Sequence, residues 1–188
     1  MSVKTEQHQP NTSYFCTFTC NRWLNLFSIT NFYDQIYKWF DIMVKENYPI
    51  QGYVIMPNHL HLLIHTPWDK HSLNKRIGTG KRFMAYEIVE RLKAAKHEDI
   101  LKILAEDVKP FDRRSGKRHH VFKDSFNEKE IINEEMLLQK LDYLHHNPVS
   151  GKWNLAEDFT DYLHSSAKFY ETGVQGIYNV THYDDVWR

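Results

Sequence analysis

Residues 53–64 carry two histidines, His59 and His61, separated by one apolar residue in a run typical of a β-strand. Side chains of a strand alternate between the two faces of a sheet, so positions i and i+2 point the same way. The aliphatic residues of the run are therefore predicted on a buried face, and His59, His61 and His65 on the other. Two imidazoles held side by side on a strand supply half of a metal site.

Imidazole nitrogens bind several divalent transition metals, and a His-x-His strand is one way to supply two ligands. A chance pair on a polar strand face is the alternative, because the chain has 12 histidines. A structural zinc site is disfavoured, because no cysteine pair with ligand spacing accompanies the histidines. Cys16 and Cys20 instead lie four residues apart in a predicted strand, too far for an easy disulfide. We expect both to be reduced core thiols of a cytoplasmic protein.

Composition limits the classes of protein that remain. The chain of 188 residues is 41% hydrophobic and 26% charged, which suits one globular domain. Its formal net charge is zero, so binding to a polyanion must rely on local patches. The sequence contains no signal peptide and no apolar run of about 18 residues, which predicts a cytoplasmic protein without a membrane partner.

We expect a disordered segment over 1–12, a main domain over 13–152 and an aromatic-rich extension over 153–188 packed on that domain.

Hydrophobic periodicity predicts the order of strands and helices. Strand patterns cover 14–20, 50–56 and the histidine run, and Val121-Phe122 is predicted to open a further short strand. Helical patterns cover 31–46, 73–96 and 134–146. This order predicts an α+β fold, a ferredoxin-like βαββαβ antiparallel sheet with helices on one face and a C-terminal extension.

The last clear helix carries a second set of polar residues. Tyr143 and Asn147 lie one turn apart beside a buried leucine seam. Pro148 disfavours helical geometry in the preceding residue, so Asn147 is predicted at the helix end, where its oxygen can turn towards a metal. In the alternative interpretation, Tyr143 packs at the edge of the core and Asn147 only caps the helix.

Taken together, the two sets resemble the motifs of the HUH single-tyrosine transposases, and most closely those of the REP-associated tyrosine transposases. Residues 56–64 read Met-Pro-Asn-His-Leu-His-Leu-Leu-Ile, and residues 142–149 read Asp-Tyr-Leu-His-His-Asn-Pro-Val. Residues 161–170, Asp-Tyr-Leu-His-Ser-Ser-Ala-Lys-Phe-Tyr, are similar to the segment that commonly follows. The likeness extends from about Tyr14 to Tyr170, which makes 13–152 the expected HUH catalytic domain.

The resemblance implies a metal-dependent enzyme that cleaves and rejoins single-stranded DNA next to hairpin sequences. It implies that His59 and His61 hold Mg²⁺ or Mn²⁺ and that Tyr143 is the nucleophile of a covalent 5′-phosphotyrosine intermediate. The third ligand in the insertion-sequence branch is a glutamine four residues after the tyrosine. Asn147 occupies that position here and is one methylene shorter.

Two basic clusters are candidates for contact with the DNA backbone. One comprises Lys81 and Arg82 in the long helix, where family members carry basic residues, and the other comprises Arg113, Arg114, Lys117 and Arg118. For the second cluster, a solvated basic loop is the alternative. The tail aromatics are candidates either for base stacking or for the core, and the core is favoured; they are Trp153, Tyr162, Phe169 and Tyr170.

Other functions stay open at this point. A domesticated DNA-hairpin-binding protein with little or no turnover would keep the basic clusters, but it would have no need of His59, His61 and Tyr143 together. Replication initiators and relaxases share the histidine pair, but the Asn-Pro-Val context disfavours them. The resemblance is compatible with a homodimer that exchanges tyrosine helices and with a monomer, and it implies activity at the nucleoid.

Overall fold

A computed structural model describes residues 11–66, 73–124 and 127–187. The strands are β1 (Thr12–Thr19), β2 (Ile50–Ile55), β3 (His59–Thr66) and β4 (Asn127–Glu130). The α-helices are α1 (Leu26–Ile29), α2 (Tyr33–Lys45), α3 (Leu73–Ala94), α4 (Glu98–Glu106), α5 (Pro110–Arg114), α6 (Glu134–His146), α7 (Ala167–Thr172) and α8 (Asp184–Trp187). Short 3₁₀ turns cover Asn21–Trp23, Asn147–Val149 and Phe159–Asp161.

The four strands form one sheet in the order β2-β3-β1-β4, and every neighbouring pair is antiparallel. This is the strand order of a ferredoxin-like βαββαβ unit, so the predicted α+β class is confirmed. The register of β1 against β3 is continuous from Thr12 opposite Thr66 to Thr19 opposite His59. The histidine strand therefore has a hydrogen-bonded neighbour on each side, which holds its side chains in fixed positions.

One face of the sheet carries the larger core. The aliphatic side chains of β3 that alternate with the histidines pack there with the apolar faces of α2, α3 and α4. Cys16 and Cys20 are buried in this core as free thiols, as predicted. Among the helices that the structure describes, none combines the length and apolar character needed to cross a bilayer.

The helices of the βαββαβ unit, α2 and α3, lie on one face of the sheet as predicted, and the opposite face carries α6. The leucine seam of this helix forms a second core with residues of all three long strands; its buried members are Phe15, Val54, Met56, Leu63, Ile131, Leu137, Leu141 and Leu144. A sheet whose two faces are both apolar needs a cover on each side. The periodicity of α6 identified the seam but not the face that it covers.

The fourth strand lies later in the chain than predicted. Val121 and Phe122 turn their side chains into the larger core, and Phe122 makes only an isolated bridge with Cys20 beyond the end of β1. The strand that pairs with β1 is β4, with Tyr14 opposite Glu130 and Thr17 opposite Asn127. Its mixed charged sequence suits a strand at the edge of a sheet and does not show the alternation that predicts strands.

The C-terminal part of the chain lies against β2. Ser165 forms a bridge with Val54, and the amide of Thr181 donates to the carbonyl of Ile50 at 2.9 Å. All four tail aromatics pack against the two cores, as the favoured interpretation predicted; they are Trp153, Tyr162, Phe169 and Tyr170. Of the predicted disordered segment, residues 1–10 lie outside the described residues, and Thr12 already belongs to β1.

Helices α2 and α3 approach each other closely at Gly80. A Cβ at this position would lie 2.8 Å from Cε2 of Trp39, whose indole ring is buried. At Gly78, one half-turn earlier in the same helix, no atom of the described residues lies within 4 Å of the corresponding position. The two glycines that interrupt the predicted helix thus have different roles, and only Gly80 is required by packing.

These two positions form a matched pair for a stability measurement. We expect Gly80→Ala to lower the free energy of unfolding by about 1–3 kcal/mol, because the rigid indole cannot move away without repacking. Gly78→Ala should raise it by up to about 1 kcal/mol, because alanine is the better helix former and nothing blocks its methyl group. Urea denaturation of both variants tests this, and equal effects would contradict it.

Candidate active site

The two histidines of β3 lie side by side at the end of the strand. Their ring centroids are 4.8 Å apart with an interplanar angle of 80°, and both rings are buried. They face the side of the sheet that α6 covers, opposite Thr19 and Thr17 of β1. The strand geometry therefore pairs them as its alternation predicts.

Neighbouring side chains fix the tautomer of each imidazole. Nδ1 of His59 lies 2.7 Å from Oδ1 of Asn58, an atom that only accepts hydrogen bonds, so Nδ1 carries the proton. Nδ1 of His61 lies 2.7 Å from the hydroxyl of Thr17, and Nε2 of the same ring faces Nδ2 of Asn147 at 3.4 Å. Both rings therefore have their lone pair on Nε2. The contacts at Nδ1 orient the rings, as is typical of metal-binding histidines.

Burial keeps both rings neutral. It lowers the pKa of His59 to about 4, with Asn147 acting in the opposite direction and Lys152 adding to the decrease. Burial also lowers the pKa of His61 to about 3, helped by the charges of His59 and Lys140. Neutral imidazole is the form that binds a metal, so at neutral pH neither ring has to lose a proton first.

Helix α6 brings the second set of polar residues to the same place. Its N-cap is Asn133, whose side chain accepts from the amide of Met136 at 2.8 Å, and the buried leucine seam sets its rotation about its axis. Tyr143 is 48% exposed, and its ring centroid lies 5.1 Å from that of His61. Its ring is thus half exposed beside the histidine pair.

Asn147 ends α6 as predicted, but it keeps helical dihedral angles (φ −55°, ψ −41°) despite Pro148. The chain continues there as a 3₁₀ turn instead of leaving the helical region. Oδ1 of Asn147 is buried and has no hydrogen-bond partner among the residues that the structure describes. Buried oxygens rarely lack a hydrogen-bond partner, so Oδ1 of Asn147 indicates a place where a cation or a hydrogen-bond donor binds. The four residues of the predicted centre thus come together, and their oxygen and imidazole donors fit a divalent cation.

Sequence reasoning missed a cation beside the tyrosine. Lys140 lies three residues before Tyr143, and its ammonium lies 5.6 Å from the ring centroid of Phe15. That phenylalanine stacks on His61 at 5.4 Å and meets the Tyr143 ring edge-on at 6.0 Å. The spacing of Lys140, Tyr143 and Asn147 along one helix face was the available signal.

Part of each predicted basic cluster lines one groove on the other face of the sheet, between α3 and residues 115–124. The groove has a volume of about 860 Å³, and its basic lining residues are Lys81, Arg82, Lys93, Lys117, Arg118, His119 and Lys123. Arg82 and Arg118 are exposed there. Lys81 is largely buried and donates to the carbonyl of Lys123 at 3.0 Å, and burial lowers its pKa to about 8.

The other predicted basic residues differ in their surroundings. Arg113 donates to the carbonyls of Val108 at 3.1 Å and Ala105 at 2.8 Å, so its guanidinium closes the C-terminal end of α4. Arg114 is exposed at the end of α5 and is not part of the groove lining. The ammonium of Lys117 lies 3.3 Å from Asp112 and 3.0 Å from Nδ1 of His120.

A second group of potential ligands, Asp112, His120 and Asp124, lies beside this groove, with its ligand atoms within 4.8 Å of one another. The ammonium of Lys117 lies within 4 Å of all three residues, and Lys109 is also paired with Asp124. Two ammonium groups already neutralise the two carboxylates and would repel a divalent ion. We interpret this group as an ion-pair network that shapes the basic loop.

Trp23 links the groove to the histidine pair. The ammonium of Lys123 lies 4.2 Å from the centroid of the Trp23 ring, and that ring lies 5.8 Å from His59, nearly perpendicular to it. On the other side of His59, the ring of Trp153 lies at 6.2 Å and packs against the second core. The groove and the candidate active site thus lie at the same end of the strands, on opposite faces of the sheet.

By fold, the chain is similar to a REP-associated tyrosine transposase bound to a REP hairpin. The TM-score is 0.59 at 19% sequence identity, and the match covers 100% of this chain and 98% of the other. A candidate transposase from Deinococcus radiodurans matches with a TM-score of 0.43 at 14% identity, over 78% of this chain and 96% of the other. No protein-family profile and no curated protein matches the sequence. The first likeness shows that this chain has the fold of a REP-associated tyrosine transposase, as its motifs led us to expect.

The two histidines that follow Tyr143 point away from its hydroxyl group. Nε2 of His145 lies 2.9 Å from the hydroxyl of Ser166, in a buried contact between α6 and the start of α7. His146 pairs with Asp142 at 3.1 Å and packs on the ring of Phe159. These contacts give both residues structural roles.

His145 should make stability depend on pH. Burial, aided by the charge of His146, lowers its pKa from 6.5 to about 3. Below pH 6.5 the unfolded chain therefore binds a proton that the folded chain does not, so this contribution to stability is lost as the pH falls from 6.5 towards 3. We expect a loss of about 2 kcal/mol between pH 6.5 and 5 from this residue. In metal-free urea titrations at several pH values, His145→Gln should remove this part of the loss in the free energy of unfolding between pH 6.5 and 5. An unchanged dependence of the free energy of unfolding on pH would contradict the assignment.

Proposed function

We propose that this protein cleaves and rejoins single-stranded DNA next to a hairpin, through a covalent bond between Tyr143 and a 5′-phosphate. The observation that carries this proposal is the convergence of half-exposed Tyr143, two buried neutral imidazoles and Oδ1 of Asn147, which has no partner among the described residues. The fold shared with a transposase that is bound to a REP hairpin supports the choice of substrate.

His59, His61 and Asn147 would hold Mg²⁺ or Mn²⁺. When bound, such an ion neutralises charge on the non-bridging oxygens of the scissile phosphate and makes the phosphorus more electrophilic. The residues present fit it, because two neutral nitrogens and one amide oxygen leave its charge to be balanced by the DNA. The shorter side chain of Asn147 is compensated by its position at the very end of α6, where its oxygen is buried and unpaired.

Tyr143 supplies the nucleophile. Its phenolic oxygen forms a bond to phosphorus, while the bond from phosphorus to the 3′-oxygen of the preceding nucleotide breaks. The phenol releases one proton and the departing 3′-oxygen takes one up, so the step is balanced. A phenolate is also an acceptable leaving group, so a 3′-hydroxyl can reverse the step and join strands without ATP.

Lys140 and the rings around Tyr143 would prepare this step. Phe15 and His61 confine the tyrosine ring from two sides, which limits its orientations. The ammonium of Lys140 lies beside the Phe15 ring and would favour the approach of negative charge to this group of rings. Arg82 and Arg118 in the groove would contact phosphates of the DNA away from the reacting one.

The decisive test is covalent capture of DNA by Tyr143. Purified protein is incubated with Mn²⁺ and hairpin oligonucleotides in which the four nucleotides beside the stem are randomised. We expect a protein–DNA adduct that survives denaturing gels, with the 5′-phosphate of the downstream fragment on Tyr143 in peptide mass spectra. Tyr143→Phe should abolish the adduct and keep hairpin binding, and Tyr183→Phe, outside the site, should keep both. An adduct in Tyr143→Phe would refute the nucleophile, and binding without any adduct would favour the alternative of a hairpin-binding protein without turnover.

A second test concerns the metal. Asn147→Leu should weaken Mn²⁺ binding about 10- to 100-fold in calorimetric titrations of the DNA-free protein, because one ligand is lost. Without metal, the same variant should be as stable as the unaltered protein or about 1 kcal/mol more stable, because it removes an unsatisfied buried oxygen. Asn147→Asp, which keeps an oxygen ligand, is the matched control and should retain binding. Unchanged Mn²⁺ affinity in Asn147→Leu would exclude Asn147 as a ligand.

A further inference from the structure

Trp23 is a large aromatic residue that lies half in solvent beside the candidate active site. Its side chain is 50% exposed, although it touches the buried ring of His59. Packing in the core does not account for this position. Trp39, which does pack in the core between helices, is buried, whereas half of Trp23 is in solvent. An exposed indole next to a reacting centre needs another explanation.

The backbone that presents Trp23 is strained. Arg22 and Trp23 are consecutive non-glycine residues with left-handed dihedral angles, at φ 50° and φ 58°. Such angles persist only where surrounding contacts enforce them, and they concentrate at functional sites. The strain therefore indicates that the position of the indole is held at a cost.

Three polar contacts hold this turn. The guanidinium of Arg22 makes a two-pronged ion pair with Asp107, with Nε 2.7 Å from Oδ2. Nδ2 of Asn21 donates to the same carboxylate at 2.6 Å. Nδ2 of Asn58 donates to the carbonyl of Trp23 at 2.9 Å, while Oδ1 of the same amide accepts from His59. A single side chain thus fixes Trp23 and His59 relative to each other.

A cation accompanies the indole. The ammonium of Lys123 lies over the Trp23 ring at 4.2 Å and also lines the basic groove. An exposed aromatic face next to a positive charge is the pairing that binds unpaired nucleotides, since the ring stacks on the base and the cation meets its phosphate. A protein partner would equally meet the indole, but it would not account for the groove that runs up to it.

From this arrangement, and resting on the function proposed above, we propose that Trp23 stacks on one unpaired base of the DNA next to the phosphate that Tyr143 attacks. Trp23 is then a positioning residue, which holds the nucleotide so that its phosphate lies at His59. Stacking tolerates every base, because each has a π-face, so Trp23 would set the place of cleavage without selecting its sequence. Lys123 would contact the phosphate on the groove side of that base.

The test is a coupling measurement between protein and DNA that needs no cleavage. Affinity for hairpin oligonucleotides with a single-stranded flank is measured by fluorescence anisotropy in the Tyr143→Phe protein. Abasic sites are introduced one at a time along the flank. We expect Trp23→Ala to weaken binding of the intact oligonucleotide at least about fivefold. One abasic position should weaken binding to the protein with Trp23 by a similar factor. The same abasic position should have no further effect on the Trp23→Ala protein, because the stacking partner is already absent. Trp23→Phe should retain part of the affinity, and it also covers the case in which the alanine variant does not fold.

Phe111 provides the matched control, because it is 76% exposed on α5 and does not line the groove. Phe111→Ala should leave affinity and the abasic pattern unchanged. Equal affinity of Trp23→Ala and the unaltered protein, or additive losses at every abasic position, would overturn the inference. That failure is distinct from a failure of the proposed function, because adduct formation is scored separately with Tyr143 intact.

Discussion

The contact on which the rest of the site depends is the packing of the α6 leucine seam on the face of the sheet opposite the larger core. These leucines share an apolar cluster with β1, β2 and β3, and their burial fixes how far α6 is rotated about its axis. Because of that rotation, Asn147 faces the histidine strand, and Tyr143 contacts this strand while remaining partly exposed to solvent. A hydrophobic contact with no chemistry of its own thus determines the geometry of the polar centre.

The polar centre itself works against stability. Two imidazoles are buried in neutral form, and within the part of the chain that the structure describes the buried Oδ1 of Asn147 has no hydrogen-bond partner. Each costs folding free energy that a fully apolar face would not. Thr17 and Asn58 contact the Nδ1 atoms, so the lone pairs of both rings lie on Nε2, and that of His61 faces Nδ2 of Asn147 at 3.4 Å. Polar atoms held at such a cost are characteristic of sites that are completed by binding.

Local patterns predicted much of this arrangement. Period-two alternation identified the histidine pair, and helical periodicity with Pro148 identified α6 and its end to within a residue. What local patterns could not predict depends on contacts between distant segments. The face that α6 covers, the edge strand β4 and the closure of α4 by Arg113 are set by tertiary packing. Trp23 escaped notice because its left-handed turn is enforced by Asp107 from another part of the chain.

The two halves of the site lie far apart along the chain, and this affects when any activity can arise. The histidine strand emerges early during synthesis, whereas Tyr143 follows much later and the segment that anchors α6 through Ser166 later still. A nascent or truncated chain would therefore possess the imidazole pair without Tyr143 beside it. The complete polar centre exists only in the folded domain, so a fragment that ends before α6 lacks it.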